Sequence, residues 1–462
     1  MLHELASKVR ERTVSAEELV RSSLQRIERD DPAIGAVISV REQAVEEARA
    51  LDQRLASGHD VGPLGGIPLL VKDMEPVEGV PTTYGSMVFA DAAPAEADGL
   101  IPERLKAAGA IVVGKTNQPE FAFAGYTDNL LYGPTRNPWN LEASPGGSSG
   151  GSGAAMAAGM APIATATDGG GSIRIPAGWC GLVGLKPTNG VIGRRPIPEW
   201  IDLSTYGPLG LTVGDVRLLL EIERGPVPGD PTALPEPLPI REEMPARVFA
   251  VPRLVDFGPL PAEMQRLFEE AVGSFEENVV GPVEMLEIGS VFRAGNPSDD
   301  WLVSCAIEHV HRFGWDFCDA NYERFSPLFQ GVVDFARKTP LEEYLQVRRR
   351  RFEYVRELDE LLGDDAVLLC PTNCVSWIHA AGKHPETGEW GDSADAFNTD
   401  PQNMTNHPAI SVPAGVTESG VPFGLEITAP RFRDGTALTA AAAWERANPW
   451  PLVAPGYEPF GA

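Results

Sequence analysis

Apolar and polar positions alternate at a helical period near the N-terminus. Leu19, Leu24 and Ile27 recur with charges between them, behind the capping-box pattern Ser15-Ala16-Glu17-Glu18. Residues 1–58 therefore read as helices, and the pattern breaks at residues 58–63. The apolar run Ile67-Pro68-Leu69-Leu70-Val71 predicts a short buried strand ending at Lys72-Asp73. A helix near 101–108 leads into a second buried strand at 110–113. Residues 143–153 are too glycine-rich for regular structure, residues 154–159 are alanine-dense and helical in tendency, and 162–167 is strand-like. A second glycine loop follows at 169–171. A proline-rich crossing occupies 225–245, then a strand at 247–251 and helices at 262–277 and 341–363. Residues 295–340 hold many aromatics and no clean period, which reads as pocket wall or lid. Strands at 366–369, 410–412 and 423–428 and a helix at 435–446 follow. This alternation predicts an α/β layered fold without internal repeats or a domain boundary.

Charge narrows the function classes. The 462-residue chain has 38 basic and 65 acidic side chains, a net charge of -27. Such a field repels phosphate backbones and anionic lipid, so neither nucleic acid nor a membrane surface is an expected partner. Five cysteines, Cys180, Cys305, Cys318, Cys370 and Cys374, form no CxxC pair, which argues against a disulfide framework or a zinc site. The first eight residues lack the apolar core of a signal peptide. The longest uncharged stretch, from Ala143 to Thr167, lacks the bulk of a membrane span. The expectation is a cytoplasmic protein with no metal and no organic cofactor.

Two familiar motifs fail on context. Gly109-Ala110-Ile111-Val112-Val113-Gly114-Lys115-Thr116 matches the phosphate-loop pattern, but its intervening residues are apolar and mostly β-branched, as in a strand. Gly147-Ser148-Ser149-Gly150-Gly151 matches the nucleophile elbow of α/β-hydrolases, which would make Ser149 the nucleophile. That elbow needs a strand before it, and Asn140 to Pro145 is turn-like. Histidines downstream, including His309 and His407, keep this alternative open.

Two serine-bearing glycine loops survive. The first is Gly146-Gly147-Ser148-Ser149-Gly150-Gly151-Ser152-Gly153, and the second is Asp168-Gly169-Gly170-Gly171-Ser172-Ile173-Arg174. Consecutive glycines let backbone N–H groups converge on developing negative charge, and a serine directly after them can attack the carbonyl whose oxygen enters that nest. With Gly181-Leu182-Val183-Gly184-Leu185-Lys186-Pro187-Thr188, these loops resemble the amidase signature family. Gly66-Ile67-Pro68 before Lys72-Asp73, the segment Gly133 to Asn140, and Asn403-Met404-Thr405-Asn406-His407-Pro408 extend the resemblance. It is strong over residues 1–215, moderate over 365–450 and poor between.

The resemblance implies one domain over 1–462: a central mixed β-sheet with helices on both faces. It would comprise N-terminal helices (1–60), a signature core (61–215), a variable pocket or lid region (226–365) and a C-terminal part of the core (366–462). It further implies Ser172 as nucleophile, Ser148 as a bridging serine held by a cis peptide bond, and Lys72 as base. Backbone N–H groups of Gly169, Gly170, Gly171 and Ser172 would form the oxyanion hole, with Asp168 and Arg174 supporting the loop. A lysine can serve as base only where burial lowers its pKa far below about 10.4. Family members act on fatty acid amides, aryl amides, nylon oligomers, carbamates (urethanes) and esters, so the expected partner is a small-molecule substrate, and a homodimer is left open. The alternative reading is the glutaminase subunit of a tRNA-dependent amidotransferase. Two residues depart from the family: Gly169 stands where a threonine is usual, predicting a looser loop, and Asn406 where glycine is usual, predicting an altered pocket shape. The aromatics Trp301, Phe313, Trp315, Phe317, Tyr322, Phe325, Phe329 and Phe335 suggest an apolar or aryl substrate wall shared with core packing.

Overall fold

The structure, a computed structural model, describes residues 1–197, 200–389, 391 and 393–461. The first elements are α1 (Leu2–Arg10), α2 (Ala16–Ile34), β1 (Val37–Val40), α3 (Ala44–Ala56), β2 (Pro68–Lys72), α4 (Leu100–Ala107) and β3 (Ile111–Thr116). Next come α5 (Gly150–Ala157), β4 (Ile163–Ala164), β5 (Thr167–Asp168), α6 (Arg174–Cys180), β6 (Val183–Lys186), β7 (Thr205–Tyr206), β8 (Leu209–Gly210) and α7 (Val213–Glu223). The middle of the chain forms β9 (Arg247–Ala250), α8 (Ala262–Asn278), β10 (Val283–Met285), α9 (Pro297–Phe313), α10 (Trp315–Asn321), α11 (Pro327–Lys338) and α12 (Leu341–Leu362). Then follow β11 (Ala366–Pro371), α13 (Asp400–Thr405), β12 (Ala409–Val416), β13 (Pro422–Thr428) and α14 (Asp434–Ala447).

Eleven strands make one mixed sheet in the order β1-β3-β2-β4-β8-β6-β12-β13-β11-β9-β10, and β5 pairs with β7 apart from it. Parallel pairing joins β3, β2 and β4, and again β11, β9 and β10; the other pairs in the large sheet are antiparallel. Strand β13 shows why both faces are covered. Its seven residues are all buried, and successive side chains must point to opposite faces. Glu426 meets Arg174 of α6 on one face, whereas Phe423, Leu425 and Ile427 join the main apolar core with Leu267 and Phe268 of α8 and Leu438 and Trp444 of α14. This is a single α/β domain with helices flanking a large mixed sheet.

Local signals explain most boundaries. The Ser15 hydroxyl accepts from Glu18 N–H, and the Glu18 carboxylate accepts from Ser15 N–H, so the expected capping box opens α2. Residues 109–116 are largely β3, with Lys115 buried against Asp73 at 2.8 Å, so no phosphate loop forms. The expected loop at 143–153 is shorter, because α5 already begins at Gly150. Glycine is required there by closeness: a Cβ on Gly151 would lie 2.4 Å from the Asn117 carbonyl oxygen. The aperiodic stretch 295–340 is three helices, α9 to α11. Phe325, Phe329 and Val333 pack there with Phe121 and Val303 in a second core cluster.

Candidate active site

The site collects on Lys72 at the end of β2. Its backbone N–H donates to Thr165 Oγ1 at 3.0 Å, and its side chain is fully buried. Lys72 Nζ lies 2.7 Å from Ser148 Oγ, 2.9 Å from Ser149 Oγ and 2.9 Å from Thr167 Oγ1. These hydroxyls are not equivalent. Thr167 donates its own proton to Met74 Sδ, and Ser149 to the Thr167 carbonyl. That leaves Ser148 as the hydroxyl free to donate into the lone pair of a neutral lysine. Burial pushes the amine down to about 7, against the opposing pull of Glu75 and Asp168.

Ser148 follows a cis peptide bond from Gly147. It and Ser172 line one inner chamber, and Ser172 also faces an open cavity of about 410 Å³. Ser149 lines neither and is fully buried at the N-cap of α5. The elbow reading therefore fails on access: the hydroxyl it would use is tied to Lys72 and Thr167 inside the protein.

The second glycine loop is braced from beneath. Asp168 accepts from the N–H groups of Gly171 (2.7 Å) and Ile173 (3.2 Å), from Arg174 Nε (3.0 Å) and Nη2 (2.9 Å), and from Asn403 Nδ2 (2.9 Å). Burial would raise this carboxyl, but the Arg174 guanidinium outweighs it and holds the group at about 2. Arg174 reaches on to Glu426, Gln402 and Asn403. From above, Trp301 Nε1 donates to the Gly169 carbonyl at 2.7 Å, and Thr399 Oγ1 to the Gly170 carbonyl at 2.7 Å. The N–H and C=O of a trans peptide point opposite ways, so fixing these carbonyls fixes the amides of Gly170 and Gly171. The Gly171 N–H, expected among the oxyanion donors, is directed at Asp168 instead. Its φ of +120° would be strained for any other residue, and a Cβ there would sit 2.0 Å from Thr399 Oγ1.

Trp301, Thr399 and Trp200 are the residues that sequence reasoning left without a role. Trp301 stood among the aromatics of the expected pocket wall, but nothing in its spacing linked its indole N–H to the glycine loop. Trp200 also corrects the expected looseness at Gly169: a Cβ at Gly169 would meet Trp200 Cε3 at 2.1 Å, so an indole fills the space of the absent side chain. Asn406 does not shape the pocket. It ends α13 at φ +61°, a conformation asparagine tolerates, and its Oδ1 accepts from Arg351 at 2.8 Å.

The open cavity is lined by Phe123, Ile175, Trp200, Trp301, Leu302 and Phe335 among others. Of the eight aromatics expected as substrate wall, Trp301 and Phe335 face it, whereas Phe325 and Phe329 are core. Two carboxylates, Asp299 and Asp400, reach it, and no lysine or arginine does among the described residues. A cavity of similar volume near Trp139 and Trp450 contains none of the site residues. All five cysteines are buried and free, and no cluster able to hold a metal occurs among the described residues. Among those residues, no helix is long and apolar enough to cross a membrane.

Comparison with known proteins agrees with this architecture. A model of the Amidase family matches residues 18–438. The acylamidase of Rhodococcus erythropolis is 34% identical, covering 97% of this chain and 95% of its own. The amidase-type subunit of a glutamyl-tRNA(Gln) amidotransferase from Cyanothece is 30% identical over 97% and 98%. The crystal structure of a bacterial aryl acylamidase of the amidase signature family superposes with a TM-score of 0.87 at 30% identity, over 97% of this chain and 96% of that one. The chain belongs to the amidase family, amidohydrolases that act on carbon–nitrogen bonds.

Proposed function

We propose that this enzyme hydrolyses uncharged aryl or apolar amides through an acyl-enzyme on Ser172, with Ser148 as proton relay and Lys72 as base. The observation that carries the reading is Lys72, a buried amine with its pKa lowered to about 7 and bonded to Ser148 at 2.7 Å. At neutral pH about half of the molecules then have a free lone pair, whereas a solvated lysine would have almost none. Lys72 takes the Ser148 proton as Ser148 takes that of Ser172, whose Oγ attacks the substrate carbonyl. The oxyanion meets the N–H groups of Gly169, Gly170 and Ser172, while Gly171 supplies the bend. The relay then runs backward and protonates the departing nitrogen, which would otherwise leave as an unstable anion. Water hydrolyses the acyl-enzyme by the same route.

Carbamates and esters form the same kind of intermediate, so a panel of aryl amides, primary amides, carbamates and esters ranks the bond types. The amidotransferase reading has support from relatives such as the Cyanothece protein. Free glutamine carries a carboxylate, however, and the cavity offers it Asp299 and Asp400 with no cation among the described lining residues. Turnover of aryl amides by the isolated chain, without glutamine turnover, is the expected result. Ser172→Ala should abolish both turnover and labelling by a serine-directed phosphonate; a label found on Ser149 would overturn the assignment.

A further inference from the structure

The chamber shared by Ser148 and Ser172 has a volume of about 10 Å³, and its lining includes Gly169, Trp200 and His309. His309, on α9, is buried to 2 % exposure among five aromatic rings. Its ring centroid lies 5.5 Å from Phe121, 5.9 Å from Phe123, 5.8 Å from Trp200, 5.7 Å from Phe313 and 5.1 Å from Phe329. Burial, with a smaller push from Arg312, lowers the imidazole to about 3, so it is neutral at ordinary pH. One ring nitrogen then donates and the other accepts. Among the described residues, neither His309 nitrogen nor Trp200 Nε1 has a hydrogen-bond partner. Buried polar groups without partners are rare enough that each needs a reason.

The mechanism proposed above, on which this inference rests, identifies the atom these groups await. During acylation Ser148 hands a proton to the leaving nitrogen, and during deacylation it takes one from the entering water. The two half-reactions are the reverse of one another at this step, so both atoms occupy one place beside Ser148. A space of roughly 10–15 Å³ with two to four polar partners holds a single water. We propose that Trp200 and His309 hold the hydrolytic water against the acyl-enzyme. Trp200 Nε1–H donates to the water oxygen, and the water donates one proton to the unprotonated His309 nitrogen and the other to Ser148 Oγ. Its remaining lone pair faces the acyl carbon. As the new C–O bond forms, the water proton passes to Ser148, whose own proton moves to Lys72. The bond to Ser172 Oγ then breaks, that oxygen recovers a proton from Ser148, Lys72 returns one to Ser148, and a carboxylic acid leaves.

Stopped-flow kinetics with a p-nitrophenyl ester and a p-nitroanilide separate the two half-reactions. In His309→Phe and Trp200→Phe the burst that reports acylation should persist, while the steady-state rate falls about tenfold, the loss of one positioning hydrogen bond. Acyl-enzyme should accumulate in intact-mass spectra, and the share of product captured by added hydroxylamine should rise. His309→Gln, which keeps a donor and an acceptor, should recover part of the deacylation rate. A merely structural role would lower burst and steady state together, and that result overturns the inference. So does unchanged deacylation with normal acyl-enzyme. If His309→Phe fails to fold, Trp200→Phe decides by the same criteria. No acyl group on Ser172 in the unmodified protein would bring down the mechanism itself, a distinct outcome.

Discussion

Lys72 is surrounded by the hydroxyls of Ser148, Ser149 and Thr167, with no ion pair of its own among the described residues. Hydroxyls serve an amine nearly as well as an ammonium, so burial decides the outcome and favours the neutral form. Because the neutral form is the active one, kcat/KM should fall about tenfold per pH unit below roughly 7 and level off above it. Glu75, itself raised to about 7 by burial, lies in the same field, so the midpoint belongs to the pair. A pH–rate profile flat from 5.5 to 8 would contradict this. The same group opposes folding. A lysine lowered from 10.5 to about 7 binds fewer protons folded than unfolded between those values, so its penalty is complete below about 7 and fades as pH rises to about 10.5. Lys72→Met should therefore be inactive yet more stable by about 1–3 kcal/mol at pH 6, with a smaller gain at pH 9 in denaturant titrations.

At the scale of elements, the glycine loop is shaped by helices distant in sequence. Trp301 comes from α9, and Thr399 and Asn403 flank or belong to α13. Trp301→Phe removes one hydrogen bond at the Gly169 carbonyl and frees the following amide to rotate. We expect kcat to fall about tenfold with KM little changed, and stability to fall by about 1 kcal/mol. Equal losses in kcat and binding would point to a collapsed cavity instead. Here the reach of the sequence ends. The runs at 67–71 and 110–113 announce β2 and β3 because strands buried on both faces read as unbroken apolar stretches. Ser148 and Ser172 are legible because glycine-lined serine loops need their chemistry written locally. α6 left no periodic signal, since every residue from Arg174 to Cys180 is buried and no polar face alternates with an apolar one. Partnerships such as Trp301 with Gly169 are set by how α9 lies across the site, which no local spacing encodes.

The whole molecule imposes a charge filter. With 65 acidic against 38 basic side chains, and with Asp299 and Asp400 at the cavity, an anionic substrate meets repulsion both at a distance and on arrival. A carboxylate added to a good aryl amide substrate should lower kcat/KM by about tenfold or more, and the penalty should shrink as salt screens the long-range part. A neutral amide of the same size should show little salt dependence. The site also draws on positions from 72 to 403 in the chain, so no fragment carries it alone.

The indole of Trp200 beside Gly169 bears on the order in which these two positions can change. While a threonine occupied position 169, as in the proteins this loop resembles, an indole at 200 would have collided with its Cβ. The glycine therefore has to precede the tryptophan, and once the ring is seated the step back is closed until the ring is removed. Each residue alone looks like an ordinary exchange; together they form a ratchet that commits this lineage to a loop clamped by an aromatic ring.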